Sequence, residues 1–213
     1  FNDAATPETY TISLRAALPV YLNMITVRPA TVADTATIVH LEMTIIDQME
    51  IPMVAKLGRD NIEQLLHDSA LADDTARYSH THATVAELGG AIVGVAFGYP
   101  SASEPHLDLT MQRLLAERFG ELAELFPDVE TLPDEWYLDS ISVAESARGK
   151  GVGTQLLAAL PEVVAAQGET VIGLNVDDGN PKARALYERE GFVAVGELMI
   201  GANHYTHMQR DLS

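Results

Sequence analysis

The feature that most constrains this chain is a strand that changes face partway along, then runs into a glycine-rich turn and a helix. The run Trp136-Tyr137-Leu138-Asp139-Ser140-Ile141-Ser142-Val143 is rich in β-branched and aromatic residues, which suit a pleated, half-buried surface. Trp136 and Leu138 are apolar on one parity, Ile141 and Val143 on the other. Side chains alternate strictly along a strand, so the switch predicts an extra residue near Asp139-Ser140, a β-bulge. The turn Arg148-Gly149-Lys150-Gly151-Val152-Gly153 comes next, and Thr154 to Leu160 carries apolar residues at helical spacing.

A glycine-rich turn at a helix start presents unpaired N–H groups and the positive end of the helix dipole, and it lets backbone approach a phosphate closely. The arrangement predicts a pyrophosphate-bearing ligand. The Walker spacing Gly-x-x-x-x-Gly-Lys-Ser/Thr is absent. A dinucleotide fingerprint needs its glycines directly off a strand, whereas Ala144 to Ala147 intervenes here. Asp177, near the end of the next strand, keeps a nicotinamide-binding domain as a weakened alternative. Alone, the turn is equally consistent with a purely structural role.

Two motifs together carry more information. Arg148-x-x-Gly151-x-Gly153 resembles the Arg/Gln-x-x-Gly-x-Gly/Ala signature of the GNAT acetyltransferase superfamily. The run Asn175 to Phe192, with Asn180, Ala183, Tyr187, Gly191 and Phe192, resembles that superfamily's second signature, in the same order and at the same separation. The resemblance covers the C-terminal half closely, continues in register from Met24, and is to bacterial members that supply no substrate. It implies a mixed α/β GNAT fold, with a twisted, largely antiparallel sheet of six or seven strands flanked by helices and splayed between strands 4 and 5.

The resemblance also implies a function: acetyl transfer from acetyl-CoA to a primary amine by direct attack. The coenzyme arm would bond to the backbone of Ile141 and Val143 in the splay. Its pyrophosphate would lie on Arg148, Gly149, Lys150, Gly151, Val152, Gly153 and Thr154. Asn180 would contact the arm, although helix capping alone explains an asparagine before Pro181. Tyr187 would be the general acid for the departing thiolate, and a backbone N–H near Ile141 or Ser142 would stabilise the oxyanion. For the general base, Asp139 at the bulge and Glu50 after the first helix are the two candidates, with Tyr78, His40 and His204 more distant. The superfamily places the acceptor pocket wall at the link between the first two helices, here Asp47 to Met53. A non-catalytic acyl-CoA sensor remains the alternative to an enzyme.

In chain order, residues 1–23 show no clean period and read as an upstream extension, tag remnant or terminal arm, leaving 24–213 as the acetyltransferase domain. A first strand over Ile25 to Ala30 leads to a helix that starts at Thr31, places Ile38, Leu41, Ile45 and Met49 inside, and breaks at Pro52. A second helix over Arg59 to Ala72 buries Ile62, Leu65, Leu66 and Leu71. Gly89-Gly90 between Thr81–Leu88 and Ala91–Tyr99 signals a hairpin. The insertion Ser101 to Pro133 carries Leu109, Leu114, Leu115, Phe119, Leu122 and Leu125, which predict a helix packed on one side, with a lid over the acceptor site as the alternative. Pro161 falls inside the helix after the glycine turn, where it should kink the axis. A fifth strand over Thr170 to Asn175 and a closing hairpin, Val193–Met199 with Tyr205–Leu212, complete the reading.

Composition sets outer limits. At 213 residues and 47% hydrophobic, the chain can bury a substantial core as one domain. Having no cysteine, it can form no disulfide, zinc–thiolate site or cysteine nucleophile, which fits a cytoplasmic location. The seven histidines show no metal-ligand spacing. A formal net charge of -18 argues against nucleic acid and anionic membrane surfaces as partners and leans towards a cationic small molecule. The acceptor is open among a small amine, an amino acid, an aminoglycoside and a protein N-terminus. Homodimerisation, common in the superfamily, is an expectation of the resemblance alone.

Overall fold

The computed structural model describes residues 24–122 and 124–213, so the arm expected over 1–23 lies outside the described residues. Seven strands form one sheet: β1 (Ile25–Pro29), β2 (Ala83–Leu88), β3 (Ala91–Pro100), β4 (Trp136–Val143), β5 (Val171–Asp177), β6 (Val193–Ile200) and β7 (Asn203–Asp211). Their spatial order is β1-β2-β3-β4-β5-β7-β6. Neighbours run antiparallel except β4 and β5, which are parallel and joined by the long crossover through a helix. This is the mixed sheet the resemblance implies.

The helices are α1 (Thr35–Ile46), α2 (Pro52–Leu57), α3 (Arg59–Ala72), α4 (Leu109–Phe119), α5 (Val152–Ala166) and α6 (Pro181–Arg189). Alternation along the strands feeds two separate cores. Val85, Val95 and Phe97 point to one face and pack with Ile38, Met43 and Ile46 of α1, Ile62, Leu65 and Leu66 of α3, and Leu115 of α4. Ala96, Trp136, Leu138, Ile172, Leu174 and Val176 point to the other and meet Leu156, Leu157, Leu160 and Val164 of α5. Tight approach is visible at Gly98, where a Cβ would lie 2.1 Å from the Trp136 ring. Among the described residues no helix is long and apolar enough to cross a membrane.

Several boundaries differ from the sequence reading. The first helix ends at Ile46, and Pro52 begins α2 at its first position, where the missing N–H costs nothing. Met49 therefore sits in the intervening turn rather than in the helix. Leu71 is exposed because the buried stripe of α3 is Ile62, Leu65, Leu66, Ser69 and Ala70, one residue off its position. Leu122 is exposed because α4 ends at Gly120 in the left-handed conformation. Residues His80–His82 form a 3-10 turn, so β2 starts two residues later than read. Helix α5 runs through Pro161 without interruption.

Candidate active site

The β3–β4 register shows what the parity switch does. Phe97 pairs with Ser140 and Gly98 with Leu138, which leaves Asp139 as the extra residue. The bulge lets Trp136, Leu138, Ile141 and Val143 all face the α5 core, while Ser140 and Ser142 turn to α1. There Ser140 Oγ donates to Glu42 Oε2 at 2.7 Å and Ser142 Oγ to the Leu41 carbonyl at 2.7 Å. Strands β4 and β5 pair only at Trp136–Ile172 and Tyr137–Gly173. From Asp139 onward the two strands diverge, and the wedge between them is the centre of the site.

The main-chain groups along that wedge can be assigned. Ala144 N donates to Val93 O on β3, whereas Val143 O accepts from Arg148 Nε at 3.2 Å. Alternate residues direct their N–H and C=O to opposite edges of a strand. Ile141 and Val143 therefore present their backbone groups on the β5 side, and Ser142 faces β3. Next, a 3-10 turn over Glu145–Ala147 leads through Gly149 (φ 74°) to Gly151 (φ 85°), which precedes α5. Gln155 N bonds to Gly151 O, so the N–H groups of Val152, Gly153 and Thr154 emerge from the helix start. No atom lies within 4 Å of a Cβ placed on Gly149 or Gly151, so backbone conformation rather than space requires those glycines. Arg148 and Lys150, both exposed, put two cations on this rim of an otherwise acidic chain.

Helix α6 brings Tyr187 to the same side. Asn180 caps it, its Oδ1 accepting from Ala183 N at 3.1 Å, with Pro181 at the first position. The Tyr187 ring is buried in the α5 core, edge-on to Phe192 with centroids 5.8 Å apart. Burial alone pushes its hydroxyl up to about 12, so at neutral pH it holds a proton that no partner among the described residues shares. Asp177, which kept the nicotinamide alternative open, accepts from Gly179 N at 2.6 Å and braces the turn into α6.

The opposite face of the wedge is built from side chains. A cavity of about 130 Å³ is lined by Met49, Ile51 and Pro52 before and at the start of α2, by 125–128 and Glu130 of the insertion, and by Ile200, Gly201, Asn203 and Tyr205 at the β6–β7 turn. At its edge, Glu130 Oε2 accepts from the Tyr137 hydroxyl at 2.7 Å. Asn175 lies two residues beyond the last β4–β5 pair, and its Nδ2 donates to the Glu130 carbonyl and to the Tyr137 oxygen, both at 2.9 Å. Asn175 Oδ1 faces His207 Nδ1 at 2.6 Å, and His207 Nε2 faces Glu135 Oε2 at 3.1 Å. Both ring nitrogens of His207 thus lie within hydrogen-bond distance of side-chain oxygens. Gly173 accommodates this chain: a Cβ there would fall 2.0 Å from the Glu135 carboxylate.

A second buried group lies alongside. Arg77 donates to Asp108 from Nε (3.0 Å) and Nη2 (2.7 Å), and from Nη1 to Asp139 (2.6 Å) and the Tyr99 hydroxyl (2.8 Å). Tyr99 in turn donates to Asp139 at 2.8 Å. Burial, then the nearby Asp139 charge, raise the Glu130 carboxyl to about 7, against the opposing pull of Arg77 and the Tyr137 bond.

The sequence candidates for the base lie in different surroundings. Asp139 sits at the bulge, but its carboxylate is already engaged by Arg77 and Tyr99. Glu50 is exposed at φ 52° and does not line the cavity, because the turn that aims Met49 and Ile51 inward swings it out. Tyr78 is buried against Phe97 and Phe126, His40 pairs with Glu63 on the surface, and His204 pairs with Asp178. Sequence reading passed over Arg77, Glu130, Tyr137 and His207. The available signal was polar residues at inward strand positions, Asn175 within an apolar run and His207 next to Met208. Among the described residues no cluster of three or more potential metal ligands occurs.

Comparison with known proteins fits this geometry. A family model described as acetyltransferase (GNAT) family matches residues 50–192. A solved acetyltransferase is 40% identical, with a TM-score of 0.78, over 88% of this chain and 100% of that one. The N-acetyltransferase YhfO of Bacillus subtilis (strain 168) is 32% identical over 84 residues, 37% of this chain and 56% of YhfO. The L-methionine sulfoximine/L-methionine sulfone acetyltransferase of Pseudomonas aeruginosa is 41% identical over 59 residues, 28% of this chain and 34% of that protein. The chain thus spans between about a third and three fifths of the length of the curated relatives it matches. With the family match extending over two thirds of its length, from the turn after α1 to the end of the second motif, the chain belongs to the GNAT acetyltransferase family.

Proposed function

We propose that this protein transfers an acetyl group from acetyl-CoA to a primary amine within one ternary complex. The observation that carries the reading is the wedge between β4 and β5, open beyond Tyr137–Gly173, with a helix start and Tyr187 on one face and a carboxylate-edged cavity on the other. The exposed backbone of Ile141 and Val143 suits the amide groups of a pantetheine arm. The N–H groups from Gly149 to Thr154, with Arg148 and Lys150, suit its pyrophosphate.

The residues divide the proton work. The amine arrives as a cation and must lose a proton before it can attack the thioester carbon. Glu130, held by Tyr137 and carrying a carboxyl near neutrality, takes it; its position at the cavity edge makes it a better base than Asp139, whose charge is spent on Arg77. As the carbonyl oxygen gains charge, an N–H of the β4 edge at Ile141 supports it. When the tetrahedral carbon collapses, the C–S bond breaks, Tyr187 gives its proton to the leaving sulfur, and the second proton of the attacking nitrogen leaves for water as the amide forms, from which Tyr187 is reprotonated. Burial pushes its hydroxyl up to about 12, so the proton is present near neutral pH. Asp139 acts through charge and shape: its backbone creates the wedge, and its carboxylate raises Glu130.

The test is acetyl-CoA-dependent release of free thiol over a panel of amines. The chain has no cysteine, so every thiol detected belongs to coenzyme A. Amine-dependent release that drops sharply in Tyr187→Phe supports the reading. Tight acetyl-CoA binding with no release for any amine points instead to an acyl-CoA sensor.

A further inference from the structure

We propose that the acceptor is a cationic amine on a compact apolar body that carries no carboxylate, selected by the carboxyl groups of Asp128 and Glu130. The inference rests on the acetyl-transfer reading above and narrows its substrate.

The cavity wall carries charge of one sign only. Met49, Ile51, Pro52, Phe126 and Ile200 supply apolar surface, and the charged side chains that line it are Asp128 and Glu130. Among the described residues, no lysine, arginine or histidine lines this cavity. The cation that borders the network, Arg77, is 4% exposed and has its Nε and both terminal nitrogens bound to Asp108, Asp139 and Tyr99. Four of its five N–H donors are thus taken, and it does not line this cavity. A substrate carboxylate here would lose water, find no cation, and lie beside the Asp128 carboxylate and, once it is ionised, that of Glu130. An ammonium group gains from the same arrangement, and the apolar wall accepts its carbon skeleton. The volume, about 130 Å³, favours a compact body over a multi-ring one.

This sets the chain apart from its relative that acetylates methionine sulfoximine, an α-amino acid, with which it aligns over only 28% of its length. The shared stretch does not require a shared acceptor, since fold and acceptor chemistry are carried by different residues.

The experiment compares phenethylamine, phenylalanine amide and phenylalanine, which share one aromatic body and differ in the third substituent. The expected order of kcat/KM is phenethylamine first, the neutral amide next, and phenylalanine at least about a hundredfold below phenethylamine. Asp128→Asn keeps the oxygen that accepts from Gly201 N, so the loop stays anchored while one charge is lost. It should narrow the amine-to-amino-acid ratio about tenfold, mainly through KM. Phenylalanine used as well as phenethylamine, or a ratio unmoved by Asp128→Asn, overturns the proposal. Calorimetric titration of the three compounds in the presence of coenzyme A separates the two readings. If no thiol is released but phenethylamine binds and phenylalanine does not, the selection stands and the transfer reading falls. Equal binding of the two removes the selection itself.

Discussion

The two faces of the β4–β5 wedge are made in different ways. On the α5 face, the groups that would hold the coenzyme are backbone N–H and C=O groups from one stretch, residues 141–154, and their geometry follows from a bulge and two left-handed glycines. On the cavity face, the groups are side chains from β3, β4, β5, β7, the segment before β2 and the insertion, joined by hydrogen bonds between 2.6 and 3.1 Å. A backbone site tolerates side-chain change and is disturbed by backbone change. A buried polar network behaves in the reverse manner, because each member lost leaves a partner unsatisfied.

That contrast can be broken most forcefully at Arg77. Arg77→Met leaves Asp108 and Asp139 facing each other without a cation, and should cost about 3–5 kcal/mol of stability by urea denaturation. A loss under about 1 kcal/mol would show that the network is not the rigid part of the molecule. Next comes Tyr187→Phe. Its hydroxyl has no partner among the described residues, so stability should change little while kcat falls about a hundredfold. Unchanged kcat removes Tyr187 from the acid role.

Glu130→Gln gives a pH signature. As a base, Glu130 must be ionised, so activity in the native protein should rise with pH through about 7, and the variant should lose that limb together with about a hundredfold in kcat. Stability runs the opposite way. A carboxyl whose folded pKa is raised from 4.5 to about 7 contributes stability that is complete below about 4.5 and is lost as pH climbs through 7. Glu130→Gln should flatten that decline between pH 4.5 and 7 in denaturation midpoints; an unaltered pH dependence of both activity and stability excludes the role.

The smallest effects sharpen the backbone side. Gly151→Ala forces a Cβ into φ 85° and should cost about 1 kcal/mol together with weaker acetyl-CoA binding. Gly153 has an ordinary helical conformation, and a Cβ there meets Leu186 Cδ2 at a comfortable 3.5 Å. Gly153→Ala should therefore stay within about 0.5 kcal/mol of the native protein, with coenzyme affinity intact. Equal losses at both glycines would mean that space, not conformation, sets the turn.

How much was legible follows the same division. The bulge was readable because Trp136, Leu138, Ile141 and Val143 cannot share a face without an extra residue. Gly89-Gly90 marked the β2–β3 hairpin, and Asn180-Pro181 marked the start of α6. The surroundings of the candidate bases were not readable. Asp139 looked available because its bond to Arg77 spans 62 positions, and Glu50 looked inward because the positive φ that turns it out is not written in its side chain. Glu130, in an insertion read as packing, gave no local cue.

By itself, the sequence determined the order of strands and helices, the bulge, the glycine turn and the position of Tyr187, since each depends on neighbours within a few residues. Only the tertiary structure decided which carboxylates line the cavity and what surrounds them. Burial and long-range pairing set those properties, and the Glu130 bonds to Tyr137 and Asn175 exist only after β4, β5 and the insertion have come together. Periodicity records which face a residue takes, but not the partner it finds there.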